Sequence, residues 1–388
     1  MEAATSYVYK YDNVDQHHIA CMAQSSQADD EQCLFIRSVK WSPDGTLVAT
    51  NTDNNTLRLY DLTEVVSQYA TQTQGAKTTL STMLQIVHGE TLLDYAWYPY
   101  MNQHTPATCC LIESTSDHPL HLRDTNSGGV RASYAAYNAE ESLMTATSTA
   151  FSADGSCVFG GYANHIARFD VQRPGTPVDL ASTSPSRRSR NGIKGIVSCL
   201  APAPGSTPTG MLGCASFGGQ IGLVHSTTDL KEMTVWRMPE EYRCSGITEL
   251  KWAPDGMHLW AASRQSSYIV AWDIRDLRGP CATVPRTCPT QQRMSFDFDT
   301  AGTHLVAGET DGSITFHNIQ DQRPPVRIAA HDDLVAGVSA HPFYPLLATA
   351  SGQRHFDHDA DTIGYPLLDC SLRIWSVPAN FSPAISTA

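Results

Sequence analysis

Residues 39–62, VKWSPDGTLVATNTDNNTLRLYDL, alternate short apolar runs with polar breaks, a pattern that predicts three strands in two dozen residues. The break between the first two runs is Pro43-Asp44-Gly45. Pro presets φ, Asp bonds back to its own backbone and Gly tolerates positive φ, so these residues predict a tight turn joining two strands of a hairpin. The same succession returns at residues 250–274, LKWAPDGMHLWAASRQSSYIVAWDI, with one extra residue in its second polar loop. Both copies end on an aromatic residue followed by Asp, Tyr60-Asp61 and Trp272-Asp273.

Five weaker copies keep the phase, at residues 93–125, 145–172, 195–228, 293–320 and 335–377. The seven turns fall near residues 44, 99, 154, 204, 255, 301 and 343, a spacing of 42 to 55 residues. A repeat of this length with three strands and a terminal aromatic-Asp pair predicts an all-β protein, a seven-bladed WD40-type β-propeller in a single closed domain. A lone blade cannot bury both faces; neighbours stacked radially can, and they leave only short edges. The outermost strand of each blade is expected from the linker before the next repeat. For the last blade that strand is expected from YVYKYD, residues 7–12. The resulting division is 1–33 for an N-terminal segment with the closing strand, 34–377 for the propeller and 378–388 for a C-terminal tail.

Composition narrows the function classes. The formal net charge is −13, which excludes a uniformly basic nucleic-acid binder and confines any RNA contact to a local patch. The most basic run, SPSRRSRNGIK, carries Arg187, Arg188, Arg190 and Lys194. It reads either as a solvated loop or short nuclear-import signal, or as a phosphate clamp at the rim of the propeller. No apolar run of membrane-spanning length and no signal-peptide segment is present, so a soluble intracellular protein is expected. Eleven cysteines include no C-x-x-C pair, and Cys157, Cys199 and Cys214 fall on strands as small buried hydrophobes.

Catalytic signatures are missing: no phosphate loop, no G-x-S-x-G elbow, no H-E-x-x-H and no dinucleotide fingerprint occurs. Asp357, Asp359 and Asp361 have alternate calcium-loop spacing, but Thr362 and Leu368 stand where Gly and Glu are required. His355 and His358 could join a metal, yet the segment after Arg354 reads as an acidic insert, and no metal or cofactor is expected. Trp41, Trp252, Trp272 and Trp375 occupy repeat-equivalent core positions. Tyr137, Tyr162, Phe217 and Tyr268 fall in or beside inter-strand loops, where aromatics either anchor the loop or stack unpaired bases.

Several stretches exceed the generic pattern: GETLLDYAWYPYM, the RASYAAYN segment, TQQRMSFDFDTAGTHLVAG and ATASGQR. Together they resemble the telomerase Cajal body protein 1 family, from about residue 35 to 375. The resemblance implies a non-catalytic RNA-binding subunit, monomeric within a larger ribonucleoprotein. It would recognise box elements of small Cajal-body RNAs and of telomerase RNA and direct their assembly or localisation. It implies a nuclear protein, in Cajal bodies or their equivalent with a cytoplasmic pool allowed, and no DNA or membrane partner. A spliceosomal small-RNA factor and a protein-only scaffold are the alternatives. Loops between second and third strands, and those entering each first strand, share one face in propellers. On that face the expected RNA-binding residues are Arg293, Arg354, Arg264, Tyr162, Asn164 and Phe217, with Lys194 nearby. For Arg293 and Arg354 the competing role is a structural ion pair, with an acid such as Asp297 or Asp357.

Overall fold

In the computed structural model the chain is a seven-bladed β-propeller. The structure describes residues 34–71, 78–186, 188–189, 191–205, 210–226, 230–242, 245–321, 323–354 and 369–377, with the backbone of strands Ser6–Tyr9, Ile19–Gln24 and Ala379–Ser382. Blades one to six are sheets whose strands hydrogen-bond in chain order outward from the first. Blade one is Ile36–Trp41, Leu47–Thr52, Thr56–Asp61 and Thr82–Val87; blade two is Leu92–Trp97, Cys110–Thr115, Leu120–Asp124 and Val130–Tyr134. Blade three is Ser148–Phe151, Cys157–Tyr162, His165–Asp170 and Asp179–Ser182; blade four is Val197–Pro202, Met211–Ser216, Gln220–His225 and Met233–Arg237. Blade five is Ile247–Trp252, His258–Ser263, Tyr268–Asp273 and Ala282–Pro285, and blade six is Phe296–Phe298, His304–Gly308, Ser313–Asn318 and Val326–Ala329. Blade seven starts with Val335–Ala340, Leu346–Ser351 and Ser371–Ser376.

In the first six blades the fourth strand comes from the linker, as the repeat logic requires. In the seventh the source differs from the expectation. Ile19–Gln24, not residues 7–12, pairs antiparallel with Ser371–Ser376, and Thr78–Thr79 joins its far side in parallel. Ser6–Tyr9 instead pairs with Ala379–Ser382 in a separate two-stranded sheet, while residues 10–12 lie outside the described residues. Two short strand-forming segments precede residue 34, and the repeat pattern alone does not choose between them.

The chain forms two compact units: residues 1–53, 58–83 and 294–388 in one, and 54–57 with 84–293 in the other. In the first, Trp41, Val48, Leu346, Ala348, Leu372 and Ile374 make one core cluster, onto which the helix Thr63–Ala70 packs Val65, Val66 and Tyr69. Blade seven adds a polar lock: His331 Nδ1 meets Asp369 Oδ2 at 3.0 Å, and its Nε2 lies 2.7 Å from Thr349 Oγ1, which also accepts from Trp375 Nε1 at 2.7 Å. In the second unit, Trp252 and Trp272 centre one cluster, and Tyr134, Phe151, Tyr162 and Phe169 another.

The Pro-Asp-Gly turns form as expected, with Gly45 at φ +71° and Gly256 at φ +64°. Asp44 Oδ1 accepts from Ser42 Oγ at 2.6 Å and Thr46 N at 3.1 Å, which locks the first turn. At the opposite end, the first strands of blades one, two, four, five and seven share a β-bulge. The skipped residues are Arg37, Leu93, Ser198, Thr248 and Ala336. A bulge frees one residue from the ladder and re-aims its groups, and two of these five serve the sites below.

Candidate nucleic-acid interface

Five of the seven residues singled out from sequence fall on connected loops of the 54–57 and 84–293 unit. Asn164 occupies the second-to-third-strand turn of blade three at φ +62°, a left-handed conformation that Asn accepts more readily than most residues. Its N–H donates to Gly195 O and its Oδ1 accepts from Gly195 N, both at 2.8 Å, which ties this turn to the loop entering blade four. That loop is pinned in turn to the corresponding turn of blade four. Lys194 N donates to Gln220 Oε1 at 3.3 Å, and Phe217 N donates to Ile196 O at 3.3 Å. Gly246, at φ +118° in the loop entering blade five, packs so closely on the Phe217 backbone that a Cβ there would collide with it. Arg264 N donates to Gly246 O at 2.9 Å, completing a continuous path from Asn164 to Arg264 across blades three to five.

At the end of this path the side chains converge. The Arg264 guanidinium carbon lies 4.0 Å from the centroid of the Phe217 ring, a cation–π stack. Arg264 Nε is buried and has no hydrogen-bond partner among the described residues. Arg293, in the loop entering blade six, donates from Nη2 to Ser198 O at 2.8 Å. Ser198 is the bulge residue of blade four, so its carbonyl is free of the strand ladder and available to a side chain. Arg293 Nη1 is 4.0 Å from Asp94 Oδ1, at the limit of an ion pair. Burial, and then the charge of Arg293, hold the Arg264 guanidinium below its ordinary pKa.

The remaining two residues stand elsewhere. Arg354, in the other unit, donates from Nη2 to Asp53 Oδ2 at 2.7 Å, and Arg37, the bulge residue of blade one, holds Asp53 Oδ1 through Nε at 3.1 Å and also through Nη2. Tyr162 ends the second strand of blade three and is only 2% exposed. Its ring packs in the core beside Gly160, where a Cβ would meet it at 2.8 Å, so it has no free face for a base. Tyr162 does stand beside the turn that follows its strand, but it is corrected as a base-stacking residue: an aromatic closing a largely buried strand fills the core.

The acid that faces Arg293 also differs from the one suggested by proximity in sequence. Asp94, not Asp297, faces Arg293; Asp297 Oδ2 accepts from Ala340 N at 2.9 Å and Oδ1 from Phe298 N at 3.0 Å. Among the described residues Asp53 pairs with Arg354, while Asp357 lies outside them. Residues 355–368, with the acidic insert and its histidines, lie outside the described residues, as do Arg187 and Arg190. Among the described residues no group of His, Cys, Asp and Glu is arranged to hold a metal. Cys199 and Cys214 are buried thiols, Cys157 is half-buried, and Cys370 is disulfide-bonded, an exception to the plain-thiol expectation. Sequence reasoning missed Arg37, Asp53, Asp94 and Ser198. A polar residue at the second position of a first strand is the only local signal, and it becomes one only once the bulge is known.

The comparisons with known proteins agree with this architecture. The family model for the WD domain, G-beta repeat, matches residues 18–61. Telomerase Cajal body protein 1 of Bos taurus is 32% identical over 374 residues, covering 91% of this chain and 67% of the relative. The Mus musculus protein of the same name is 31% identical, covering 96% of this chain and 71% of the relative. A more distant relative, guanine nucleotide-binding protein negative regulator 1 of Schizosaccharomyces pombe, is 26% identical over 87% of this chain and 84% of its own length. The chain thus spans about two thirds of the mammalian proteins at more than 30% identity, and it belongs to the telomerase Cajal body protein 1 family, built as a WD-repeat β-propeller.

Proposed function

We propose that the chain is a non-catalytic RNA-binding subunit of small nuclear ribonucleoproteins. It binds short single-stranded box elements of small Cajal-body RNAs and telomerase RNA through its loops, and it directs the assembly or localisation of those particles in the nucleus. The observation that carries this reading is the convergence of Phe217, Arg264 and Arg293, with Asn164 and Lys194 on the same run of loops, in a chain of net charge −13. An aromatic ring with guanidiniums beside it is the chemistry that holds unpaired nucleotides, by stacking and by phosphate contact. Loops projecting from rigid blades suit such a ligand, since little ordering is left to be done on binding. The names of the relatives, which place them in Cajal bodies with telomerase, support the choice of RNA class.

The test is ultraviolet crosslinking of the protein to RNA in cells, followed by sequencing of what is attached. The proposal expects a small set of nuclear non-coding RNAs sharing one short unpaired element. Absence of crosslinked RNA above background, with protein partners that survive RNase, would overturn it. That outcome would favour a protein-only WD scaffold, a reading to which the fission-yeast relative, named for regulating a protein, gives some support.

A further inference from the structure

We infer that Arg264 and Arg293 form a subsite for one backbone phosphate of the bound strand, an anchor for charge rather than a reader of bases. The inference rests on the RNA reading above and assigns the chemistry of its cationic centre. The loops that carry the two guanidiniums adjoin, Gln265 N donating to Thr290 O at 3.2 Å, and the charge of Arg293 acts on Arg264. Their counter-charge is meagre. Among the described residues no carboxylate lies within ion-pair distance of Arg264; Asp94 is 4.0 Å from Arg293, and its Oδ2 accepts from Thr149 N at 3.0 Å. Glu249 has Lys251 Nζ at 3.9 Å.

The orientation of the pair is fixed before any ligand arrives. Phe217 holds one face of the Arg264 guanidinium, and the Ser198 carbonyl holds one nitrogen of Arg293. Arg264 Nε is a buried donor without an acceptor among the described residues, and a buried donor left unpaired is unfavourable until something supplies the acceptor. A guanine edge would supply acceptors but no charge, and it would leave the two cations repelling each other. A phosphodiester supplies two unbridged oxygens and one negative charge, matching both the fork geometry and the local imbalance. Such a contact carries no sequence information and fixes the register of the strand.

The experiment is arginine-selective NMR of the full chain, following the Nε–H signal of Arg264. The probes are a single-stranded RNA, an abasic ribose-phosphate oligomer of the same length, and inorganic tripolyphosphate. All three should shift the signal, and the change should be lost in Arg293→Gln. In Arg264→Gln, affinity for unrelated RNA sequences should fall about tenfold alike, and the slope of log K against log salt should become shallower by about 0.7 per lost contact. Arg264→Lys keeps the charge and should keep the slope while binding more weakly. A signal moved by RNA but not by the abasic oligomer overturns the phosphate assignment in favour of base reading. A signal that stays fixed while RNA binds elsewhere overturns the subsite and leaves the RNA reading standing. A signal moved by tripolyphosphate in a protein that binds no RNA upholds the anion site and removes the RNA reading.

Discussion

Arg354 Nη2 donates to Asp53 Oδ2 at 2.7 Å across 301 residues of chain, and Arg37 grips the other oxygen of the same carboxylate. Burial alone would raise the Asp53 pKa, but the hydrogen bonds from Arg354 and Arg37 outweigh it and hold the carboxyl below its ordinary range. A carboxylate lowered in the folded state stabilises fully above its unfolded value, near ~3.9, and that stability is lost as pH falls through the folded value. Arg354 is more than half exposed, so solvent screening keeps the contribution small. Asp53→Asn should cost about 1 kcal/mol at pH 7, hold that cost down to about pH 5, and converge on wild type in stronger acid. Urea unfolding across that range reads it out; a cost that persists unchanged in acid would assign the effect to packing instead of charge.

The turn glycines separate a backbone requirement from a packing one. Gly256 at φ +64° and Gly45 at φ +71° both stand where a side chain is strained, by about 1–2 kcal/mol. A Cβ at Gly45 would also overlap the ring of His341, which is buried and meets Gly45 O at 3.1 Å. Gly45→Ala should therefore lose clearly more stability than Gly195→Ala, where φ is +81° and a Cβ would meet nothing within 4 Å, in matched denaturation curves. Equal losses would mean that the His341 ring moves aside freely.

Acid should weaken the fold through buried histidines. His317, on the third strand of blade six, is 6% exposed, and burial holds its pKa down at about 4. Its Nε2 has no hydrogen-bond partner among the described residues. The unfolded chain takes up the proton near ~6.5, so the stability from keeping this group neutral is complete above that pH and falls as pH drops toward 4. His317→Leu should flatten the dependence of unfolding free energy on pH in that window by up to about 1.4 kcal/mol per unit. An unchanged slope would show that other groups set it.

Two N-terminal deletions distinguish the strand that covers blade seven from the one that does not. Among the described residues, removing residues 1–12 takes away only Ser6–Tyr9, the partner of Ala379–Ser382. Removing residues 1–24 also strips Ile19–Gln24 from Ser371–Ser376 and exposes an edge, with several ladder hydrogen bonds worth about 0.5–1.5 kcal/mol each. The longer deletion should lower the melting temperature far more than the shorter. The reverse order would return the covering role to the residues around Tyr7.

What the sequence revealed, and what it hid, follows from the range of the interactions involved. The turns and strands were legible because Pro-Asp-Gly chemistry and strand alternation act over a few residues. The stretches that carry the family resemblance turned out largely structural: Tyr95 and Trp97 of the YAWY segment are buried, and Tyr134 of RASYAAYN donates from its hydroxyl to Val171 O at 3.0 Å. Arg354 of ATASGQR pairs with Asp53, and Gln353 reaches Asp333 at 2.8 Å. Arg37 with Asp53, and Arg293 with Asp94 and Ser198, depend on a bulge and on partners remote in sequence, which no local pattern encodes. The exposure of Tyr162 was misjudged for a related reason: one residue separates the buried end of a strand from an exposed turn, and alternation fixes neither boundary.

That one-residue margin supplies the sharpest comparison between Tyr162 and Phe217. Tyr162 is the last residue of its second strand and Phe217 the first residue after the equivalent strand of the adjacent blade, but Tyr162 is 2% exposed and burial pushes its hydroxyl pKa well up, whereas Phe217 lies partly open under the Arg264 guanidinium. Tyr162→Phe should leave RNA binding unchanged. Phe217→Leu keeps an apolar side chain but removes the ring that orients Arg264, and should weaken binding of a copurifying small RNA by about five- to tenfold, the cost of roughly 1–1.4 kcal/mol of stacking and cation–π contact. Filter binding at fixed salt, with circular dichroism to confirm the fold, measures both. Weaker binding by Tyr162→Phe with no loss in Phe217→Leu would move the interface away from the blade four and five loops.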